Sequence, residues 1–259
     1  MASVLITGAS RGIGRALAVE LSTRSHDVIA TARNSSDLDD LPAVQRVQLD
    51  VTDQASVDAA IAAAGQVDVL VANAGVTYTS SVEALPVEDL ESVFALNVGG
   101  TLRVTKAVLP GMRERRHGRI VLVSSLLGRI AVPMRAAYAS TKWALEALGE
   151  TLAMEVSPYD ITVTIVEPGA VDTDGPANAK STIIDNDPYL AAIESLKSLR
   201  SIPLPAGEVA QAIADVIEEP HPPLRVPIGA GTRAVIEAHD RAPRDVPFNV
   251  TELAPDAKG

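Results

Sequence analysis

A tyrosine and a lysine stand four residues apart in the stretch "YASTK", as Tyr138 and Lys142. Residues at this spacing are neighbours on one face of an α-helix, and the run "WALEALGETLAMEV" that follows is typical of a helix. A lysine ammonium favours the ionised form of a nearby phenol, so we expect Lys142 to lower the pKa of Tyr138. The pair therefore predicts a group that can donate or accept a proton near neutral pH.

Two serines precede this pair at the end of a predicted strand. The stretch "VLVSSLLG" places Ser124 and Ser125 where ligands bind in open α/β sheets, at the carboxyl end of a strand. Successive side chains of a strand point to opposite faces, so one serine is expected to face a site and the other to face away.

A glycine-rich turn lies near the amino terminus, in "LITGASRGIGRALAVEL". Gly8, Gly12 and Gly14 fall between a predicted strand and a predicted helix. Glycines there let the backbone approach a pyrophosphate, whose charge the helix amino terminus stabilises. The context predicts nucleotide binding, and a simple tight turn is the alternative.

The same letters also match the G-x-S-x-G nucleophile elbow of serine hydrolases, with Ser10 as the nucleophile. Such an elbow requires earlier strands and an oxyanion loop, and only nine residues precede Ser10. A hydrolase is therefore the weaker alternative.

Short apolar runs alternate with helix-like segments along the chain. Runs of this kind are typical of strands buried on both faces, as in a parallel sheet. We predict a single-domain α/β fold, a doubly wound and mostly parallel sheet with helices on both faces. The predicted strands are 3–7, 27–32, 67–72, 119–124, 161–166 and "LRVPI", and the predicted helices are 12–24, 53–64, 87–112, 138–157 and 206–218.

Composition limits the class of partner. The 259 residues are 47% hydrophobic, enough for one domain over 1–259. A net charge of −11 disfavours a nucleic acid or an anionic membrane. The chain has no cysteine, and its four histidines lack metal-ligand spacing, so no metal site is predicted. Without a signal peptide or a bilayer-spanning stretch, we expect a cytoplasmic protein that acts on a small molecule.

Together these motifs resemble the short-chain dehydrogenase/reductase family. The glycine pattern T-G-x-x-x-G-x-G, "ANAG" at 72–75, the serine pair and "YASTK" occur in the family's order. At the first position of "ANAG" the family usually has asparagine, whereas this chain has Ala72. The resemblance implies a Rossmann fold and hydride transfer between a nicotinamide cofactor and a carbonyl or alcohol. The stretch "YASTKWALEALGETLAMEV" looks like the branch with 17β-hydroxysteroid and retinol dehydrogenases.

The resemblance also implies catalytic roles. Ser125 would hydrogen-bond the substrate oxygen, Tyr138 would transfer the proton, and Lys142 would assist Tyr138 and bind the nicotinamide ribose. Asn97, in "FALNVGG", would hold a water of a proton relay. The alternative for Asn97 is a satisfied polar residue within a helix. An NADP-binding sensor without turnover is the alternative to an enzyme.

The cofactor is expected to be NADP(H). Arg33 ends the second predicted strand, where an NAD site has an acidic residue, and Arg11 offers a second positive charge to a 2′-phosphate. Two solvated surface arginines are the alternative, and Asp37 lies too far beyond the strand to serve NAD. With the resemblance, the expected cofactor contacts besides Tyr138 and Lys142 are Gly8, Ser10, Arg11, Gly12, Ile13, Gly14, Arg33, Asp50, Val51, Asn73, Ala74, Gly75, Pro168, Gly169, Val171 and Thr173. Val171 and Thr173, in "EPGAVDT", could instead be loop filler.

Two further segments lack the strand and helix pattern. We predict that 172–204 is a lid over the substrate, with a helix that begins at Asp187 and Pro188. Its apolar stripe, which includes Tyr189 and Ile193, predicts an apolar substrate, and packing on the domain is the alternative. We expect the tail 240–259 to wrap the surface or to be partly disordered. Helices 87–112 and 138–157 are expected to form a dimer or tetramer interface.

Overall fold

Seven parallel strands form one sheet in the order β7-β6-β5-β4-β1-β2-β3. The computed structural model describes residues 1–173, 180–184, 187–189, 191 and 203–250. The strands are β1 (Ser3–Ile6), β2 (Asp27–Ala32), β3 (Gln45–Gln48), β4 (Val69–Ala72), β5 (Gly118–Val123), β6 (Ile161–Pro168) and β7 (Arg225–Ile228). The order reverses between β1 and β4, which creates the crevice where α/β sheets bind ligands.

Seven α-helices occur in the described residues. They are α1 (Gly12–Thr23), α2 (Gln54–Ala64), α3 (Val87–Phe94), α4 (Thr101–Arg115), α5 (Ala136–Val156), α6 (Ala206–Glu218) and α7 (Ala230–Arg241). A π-helical turn, Ala95–Gly100, joins α3 to α4. The predicted helix at 87–112 is therefore one nearly continuous helical segment with a wider turn inside it.

Helices cover both faces of the sheet. In β1, Val4 and Ile6 pack into one apolar core with α1 and α6, while Leu5 packs into the other with α2 and α4. The same alternation along β4 and the last four residues of β5 explains why these stretches are apolar at every position. The predicted single-domain, doubly wound α/β fold is confirmed.

Two elements were not predicted from the sequence. Strand β3 has the polar sequence "QRVQ" and lies at the edge of the sheet, so it lacks the apolar signal of a central strand. Helix α7 carries charged residues along much of its length and ends where we expected the tail to begin. Within the described part of that tail, the Phe248 ring packs edge-on against His239, with ring centroids 5.1 Å apart.

Glycine is required where α1 approaches the end of β1. A Cβ atom at Gly14 would lie 2.4 Å from the backbone oxygen of Gly8 and 2.6 Å from the side-chain nitrogen of Asn73. A backbone oxygen cannot rotate away as the end of a flexible side chain can. By contrast, a Cβ at Gly207 in α6 would meet no heavy atom within 4 Å.

We expect Gly14→Ala to lower the free energy of unfolding by about 1–3 kcal/mol, because the added methyl group overpacks this junction. Urea denaturation followed by circular dichroism measures the change. Gly207→Ala is the matched control and should be neutral or stabilising, since alanine has the higher helix propensity. Equal midpoints for Gly14→Ala and the unmodified protein would contradict the prediction.

Candidate active site

A cleft of about 1180 Å³ opens at the carboxyl ends of the central strands. Its walls contain every cofactor and catalytic residue expected from the sequence except Gly14 and Asn97. These lining residues are Gly8, Ser10, Arg11, Gly12, Ile13, Arg33, Asp50, Val51, Asn73, Ala74, Gly75, Ser125, Tyr138, Lys142, Pro168, Gly169, Val171 and Thr173. The fold thus brings motifs from across the chain into one site.

The glycine turn between β1 and α1 has the backbone shape that its sequence predicts. Gly8 and Gly12 have φ angles of +70° and +53°, which side chains other than glycine rarely adopt. A Cβ at Gly12 would lie 3.0 Å from the Cγ2 atom of Thr173, so the loop after β6 also comes close. The turn therefore offers a narrow backbone cradle for a phosphate group.

Thr7 fixes this turn to the end of β4. Its hydroxyl oxygen accepts hydrogen bonds from the backbone N–H groups of Asn73 and Ala74, each at 2.9 Å. The Asn73 side chain returns a bond of 2.9 Å to the Thr7 carbonyl. Sequence reasoning treated Thr7 only as the first letter of the glycine motif and missed this positioning role.

Asp50 and Arg33 lie in the same part of the cleft, after β3 and β2. One oxygen of Asp50 accepts bonds from the backbone N–H and the hydroxyl of Thr52, at 2.8 and 2.7 Å. These two bonds, and more weakly the charge of Arg33, lower the pKa of Asp50. Arg33 is exposed and makes no hydrogen bond or ion pair with described residues, so its guanidinium is available to an anion.

The two serines after β5 differ as the strand alternation predicts. Ser125 begins a short 3₁₀ turn, and its hydroxyl accepts the N–H of Leu127 at 3.2 Å. That hydroxyl also contacts the phenol of Tyr138. The Ser124 hydroxyl is buried without a hydrogen-bond partner among the described residues. Ser125 is therefore the serine paired with the tyrosine.

Tyr138 and Lys142 share one face of α5, with the lysine Nζ atom 5.5 Å from the ring centroid of the tyrosine. Nζ donates a hydrogen bond of 2.8 Å to the backbone carbonyl of Val123. This arrangement places the ammonium beside the tyrosine ring, between α5 and β5.

The expected direction of the tyrosine pKa shift was wrong. Burial raises the pKa of Tyr138, and the opposing effects come from the hydrogen bond with Ser125 and the charge of Arg135. Burial also lowers the pKa of Lys142 to about 8, against the charge of Glu146. The lysine charge alone predicts a lowered tyrosine pKa, whereas removal from water disfavours the charged forms of both groups.

Asn97 lies in the π-helical turn and is buried. Its amide nitrogen donates to the Val76 carbonyl and the Thr141 hydroxyl, each at 3.0 Å, and its side-chain oxygen accepts the N–H of Val76 at 2.9 Å. The side chain thus holds the strand-end segment after Gly75 in place. The hydrogen bonds of this side chain are therefore satisfied, as in the alternative interpretation of Asn97. Its role in a proton relay stays a prediction.

The hydrolase alternative gains no support. Ser10 lines the cleft but makes no hydrogen bond with any described residue. A serine nucleophile requires a base within hydrogen-bonding reach.

The cleft also contains residues that sequence reasoning missed. Several lie on the segment that joins Ser125 to Tyr138, so they surround these two residues, and others come from the region around α7. They include the apolar residues Val76, Leu96, Leu126, Leu127, Ile130, Val132, Leu204, Val235 and Val250. No motif assigns these residues a role. Their only signal in the sequence is a position beside or between motif residues, or late in the chain.

Described parts of the predicted lid contact the segment after β4. Lys180–Ser181 pairs with Tyr78–Thr79, and the Ser81 hydroxyl donates a bond of 2.8 Å to Asp187. The other oxygen of Asp187 accepts the N–H of Tyr189 at 2.9 Å, as expected of an N-cap. The remainder of the predicted lid helix, including Ile193, lies outside the described residues.

Comparison with known proteins identifies the family. A family model for short chain dehydrogenases matches residues 2–183. The chain belongs to this family. Among its relatives is the human retinol dehydrogenase 8, which is 36% identical over 86% of this chain and 80% of the relative. Short-chain dehydrogenases are oxidoreductases, so the site described above is an oxidoreductase site.

Solved structures agree with this assignment. A short-chain dehydrogenase from Streptomyces avermitilis has a TM-score of 0.83 and 37% identity, and the match covers 92% of each chain. A short-chain dehydrogenase from Burkholderia cenocepacia, solved in complex with NADP, has a TM-score of 0.77 and 26% identity over 93% of each chain.

A nicotinamide dinucleotide fits the residues that this cleft presents. The positive φ angles at Gly8 and Gly12 open the phosphate cradle, and the unpaired Arg33 offers positive charge near Asp50. In the described part of the chain, no group of three acidic or histidine side chains could hold a metal ion. No helix there is long and apolar enough to span a bilayer.

Proposed function

We propose that this chain is an NADP(H)-dependent carbonyl reductase or secondary-alcohol dehydrogenase that acts in the cytoplasm on a small molecule. The observation that carries the proposal is the convergence of Ser125, Tyr138 and Lys142 on one wall of the cleft. A nicotinamide cofactor, when bound, supplies or accepts the hydride. Gly8, Gly12, Arg33 and the loop after β6 would hold it.

The protein's own groups handle the proton and the substrate oxygen. In the reductive direction, the Ser125 hydroxyl donates a hydrogen bond to the carbonyl oxygen, and Tyr138 gives that oxygen its proton. The raised pKa of Tyr138 keeps the phenol protonated at neutral pH, as a proton donor must be. The Lys142 ammonium then stabilises the phenolate that remains.

Asn97 is part of this proposal through its backbone rather than its side chain. The side-chain amide is occupied by Val76 and Thr141. The backbone carbonyl of Asn97 accepts the hydroxyl of Thr101 at 2.8 Å, and a carbonyl oxygen has two lone pairs. We propose that a water bound there links the lysine to solvent.

The substrate is proposed to have an apolar body, because apolar side chains dominate the segment between Ser125 and Tyr138. The Arg135 side chain, on the same segment, lines the cleft without a hydrogen bond or ion pair to described residues. The acidic residues that line the cleft lie on other segments: Asp50 follows β3, Asp172 lies beyond β6, and Glu208 is in the first turn of α6. Arg135 would therefore bind a negatively charged group on the substrate.

The proposed homo-oligomer would use the outer faces of α4 and α5. Leu102 and Trp143 are 41% and 45% exposed, and Met154 is 67% exposed. Large apolar side chains on neighbouring helices favour a covered surface. The lid at 172–204 and the surface tail at 240–259 also stay proposals.

We expect Tyr138→Phe to lose at least about 100-fold in turnover, since it removes only the proton donor. Ketone-dependent NADPH oxidation measures turnover, and fluorescence titration should show unchanged NADPH binding. Tyr159→Phe is the control, because Tyr159 is exposed and does not line the cleft. Retained turnover in Tyr138→Phe would refute the assignment. Binding of NADPH without turnover by any carbonyl compound would favour the sensor.

Cofactor choice is expected to depend on Arg33. In Arg33→Asp, loss of a charge-assisted bond to the 2′-phosphate and the added repulsion should lower the NADPH-to-NADH ratio of kcat/KM by at least about tenfold. The same substitution at exposed Arg113, outside the cleft, controls for net charge. An unchanged NADPH-to-NADH ratio in Arg33→Asp would show that Arg33 does not bind the 2′-phosphate.

The role of Arg135 can be tested with a bulky apolar keto acid and its methyl ester. The ratio of kcat/KM for the acid to that for the ester should fall by about tenfold or more in Arg135→Ala, because a charge-assisted hydrogen bond is lost. Arg113→Ala should keep the ratio of the unmodified protein. If Arg135→Ala also keeps it, the substrate anion is not bound there.

A further inference from the structure

Buried polar groups lie directly behind the catalytic residues. Ser124, Glu146 and Glu167 are 2%, 5% and 0% exposed. Each is close in sequence to a site residue, because Ser124 precedes Ser125, Glu167 precedes Pro168, and Glu146 follows Lys142 by one helical turn. We refer to Glu146 and Glu167, with Arg129 and Arg225, as the buried carboxyl cluster.

In the buried carboxyl cluster, each carboxyl group has a different arginine as its nearest cation. Arg225 donates from Nε to Glu146 at 2.9 Å and lies 3.9 Å from Glu167. Arg129 donates to Glu167 at 3.2 Å. Glu146 therefore has the shorter contact with a guanidinium.

Two exposed acids complete the surroundings. Glu150, one turn beyond Glu146 on α5, accepts a bond of 2.7 Å from Arg225. Asp240, on α7, accepts bonds of 3.2 and 3.3 Å from Arg129. The cluster and its rim thus contain four carboxyl groups and two guanidinium groups, so negative charge predominates where α5, β6, β7 and α7 meet.

Hydrogen bonding within the cluster is incomplete. One oxygen of Glu146, one oxygen of Glu167 and the hydroxyl of Ser124 are buried without a partner among the described residues. A Cβ placed on Gly128 would lie 2.7 Å from that hydroxyl and 3.1 Å from the unpaired oxygen of Glu146, so both atoms face one spot. A cluster that served only stability would be expected to satisfy such atoms.

Of the two buried carboxyl groups, Glu146 has the better-placed guanidinium. The pKa of Glu167 is raised, first by burial and then by the negative charge of Glu146. A nearby guanidinium stabilises a carboxylate in its charged form, and Arg225 is closer to Glu146 than to Glu167.

We infer that Glu146 is a positioning residue whose buried carboxylate keeps the ammonium of Lys142 charged in its buried site. The two side chains are four residues apart on α5 and are both buried, so their charges interact with little screening by water. In the described part of the chain, the other contacts of the Lys142 ammonium are the carbonyl of Val123 and the phenol ring of Tyr138, and neither is a carboxylate.

This interaction opposes the effect of burial. Desolvation lowers the pKa of Lys142 to about 8, and the charge of Glu146 raises it. Without the carboxylate, the lysine would lose its proton closer to neutral pH. The consequence for catalysis rests on the proposed function, in which a charged Lys142 stabilises the phenolate of Tyr138.

The lysine can be titrated without turnover. In protein labelled with ¹³C and ¹⁵N in lysine, the Lys142 signal is the one lost in Lys142→Met. We expect its pKa to fall by about one unit in Glu146→Gln. Glu146→Asp, which keeps the charge, should restore most of the shift. Glu150→Gln is the matched control: Glu150 also binds Arg225 but is exposed and lies farther from Lys142, so that variant should titrate like the unmodified protein.

An unchanged Lys142 titration in folded Glu146→Gln overturns the inference, as does an equal shift in Glu150→Gln. Should Glu146→Gln not fold, Glu146→Met provides the same test, because it fills similar space without a carboxylate and Arg225 keeps Glu150 as a partner. The lysine pKa should fall in that variant as well, and no change overturns the inference.

A kinetic measurement separates this inference from the proposed function. For ketone reduction, the alkaline limb of the kcat/KM profile should move to lower pH in Glu146→Gln and not in Glu150→Gln. If the unmodified protein reduces no ketone, the proposed function fails, while the lysine titration still decides the role of Glu146.

Discussion

One hydrogen bond, from the Lys142 ammonium to the backbone carbonyl of Val123, fixes the geometry on which the site depends. A buried ammonium is costly unless it has partners, and here the partner is the last residue of a central strand. The bond ties α5 to β5 at the height of Ser125, which follows two residues later. Because Tyr138 lies one turn earlier on the same helix, the phenol is held beside that serine.

The helix packs closely on the sheet at a point where it carries a glycine. A Cβ at Gly149 would lie 2.7 Å from Ile165 and 2.8 Å from Leu122. Glycine lowers helix propensity, so close packing on β5 and β6 must offset that cost. The face of α5 that carries Tyr138 and Lys142 and the face that packs on the sheet thus depend on the same quantity, the distance between the helix axis and the sheet.

Sequence reasoning succeeded where one physical rule sufficed. The alternating apolar runs predicted the central strands, and the glycine spacing predicted the cradle between β1 and α1. It failed for β3, whose edge position removes the apolar signal, and for the tyrosine pKa, because the balance between desolvation and charge depends on burial. Sequence reasoning also could not find the hydrogen bonds of Thr7 and Asn97. Each joins segments more than forty residues apart, Thr7 to Asn73 and Asn97 to Thr141.

Chemistry and substrate choice come from different parts of this chain. The groups that we propose transfer protons and hold the cofactor lie at strand ends and on α5, where the sheet and its packed helices fix them. The apolar walls around them come from the segment between Ser125 and Tyr138, from the neighbourhood of α7 and from Val250. Those segments bear less of the core, so their side chains can change without moving the catalytic groups. The same division explains why the family's motifs identify the reaction type and leave the substrate to be read from cleft residues such as Ile130 and Arg135.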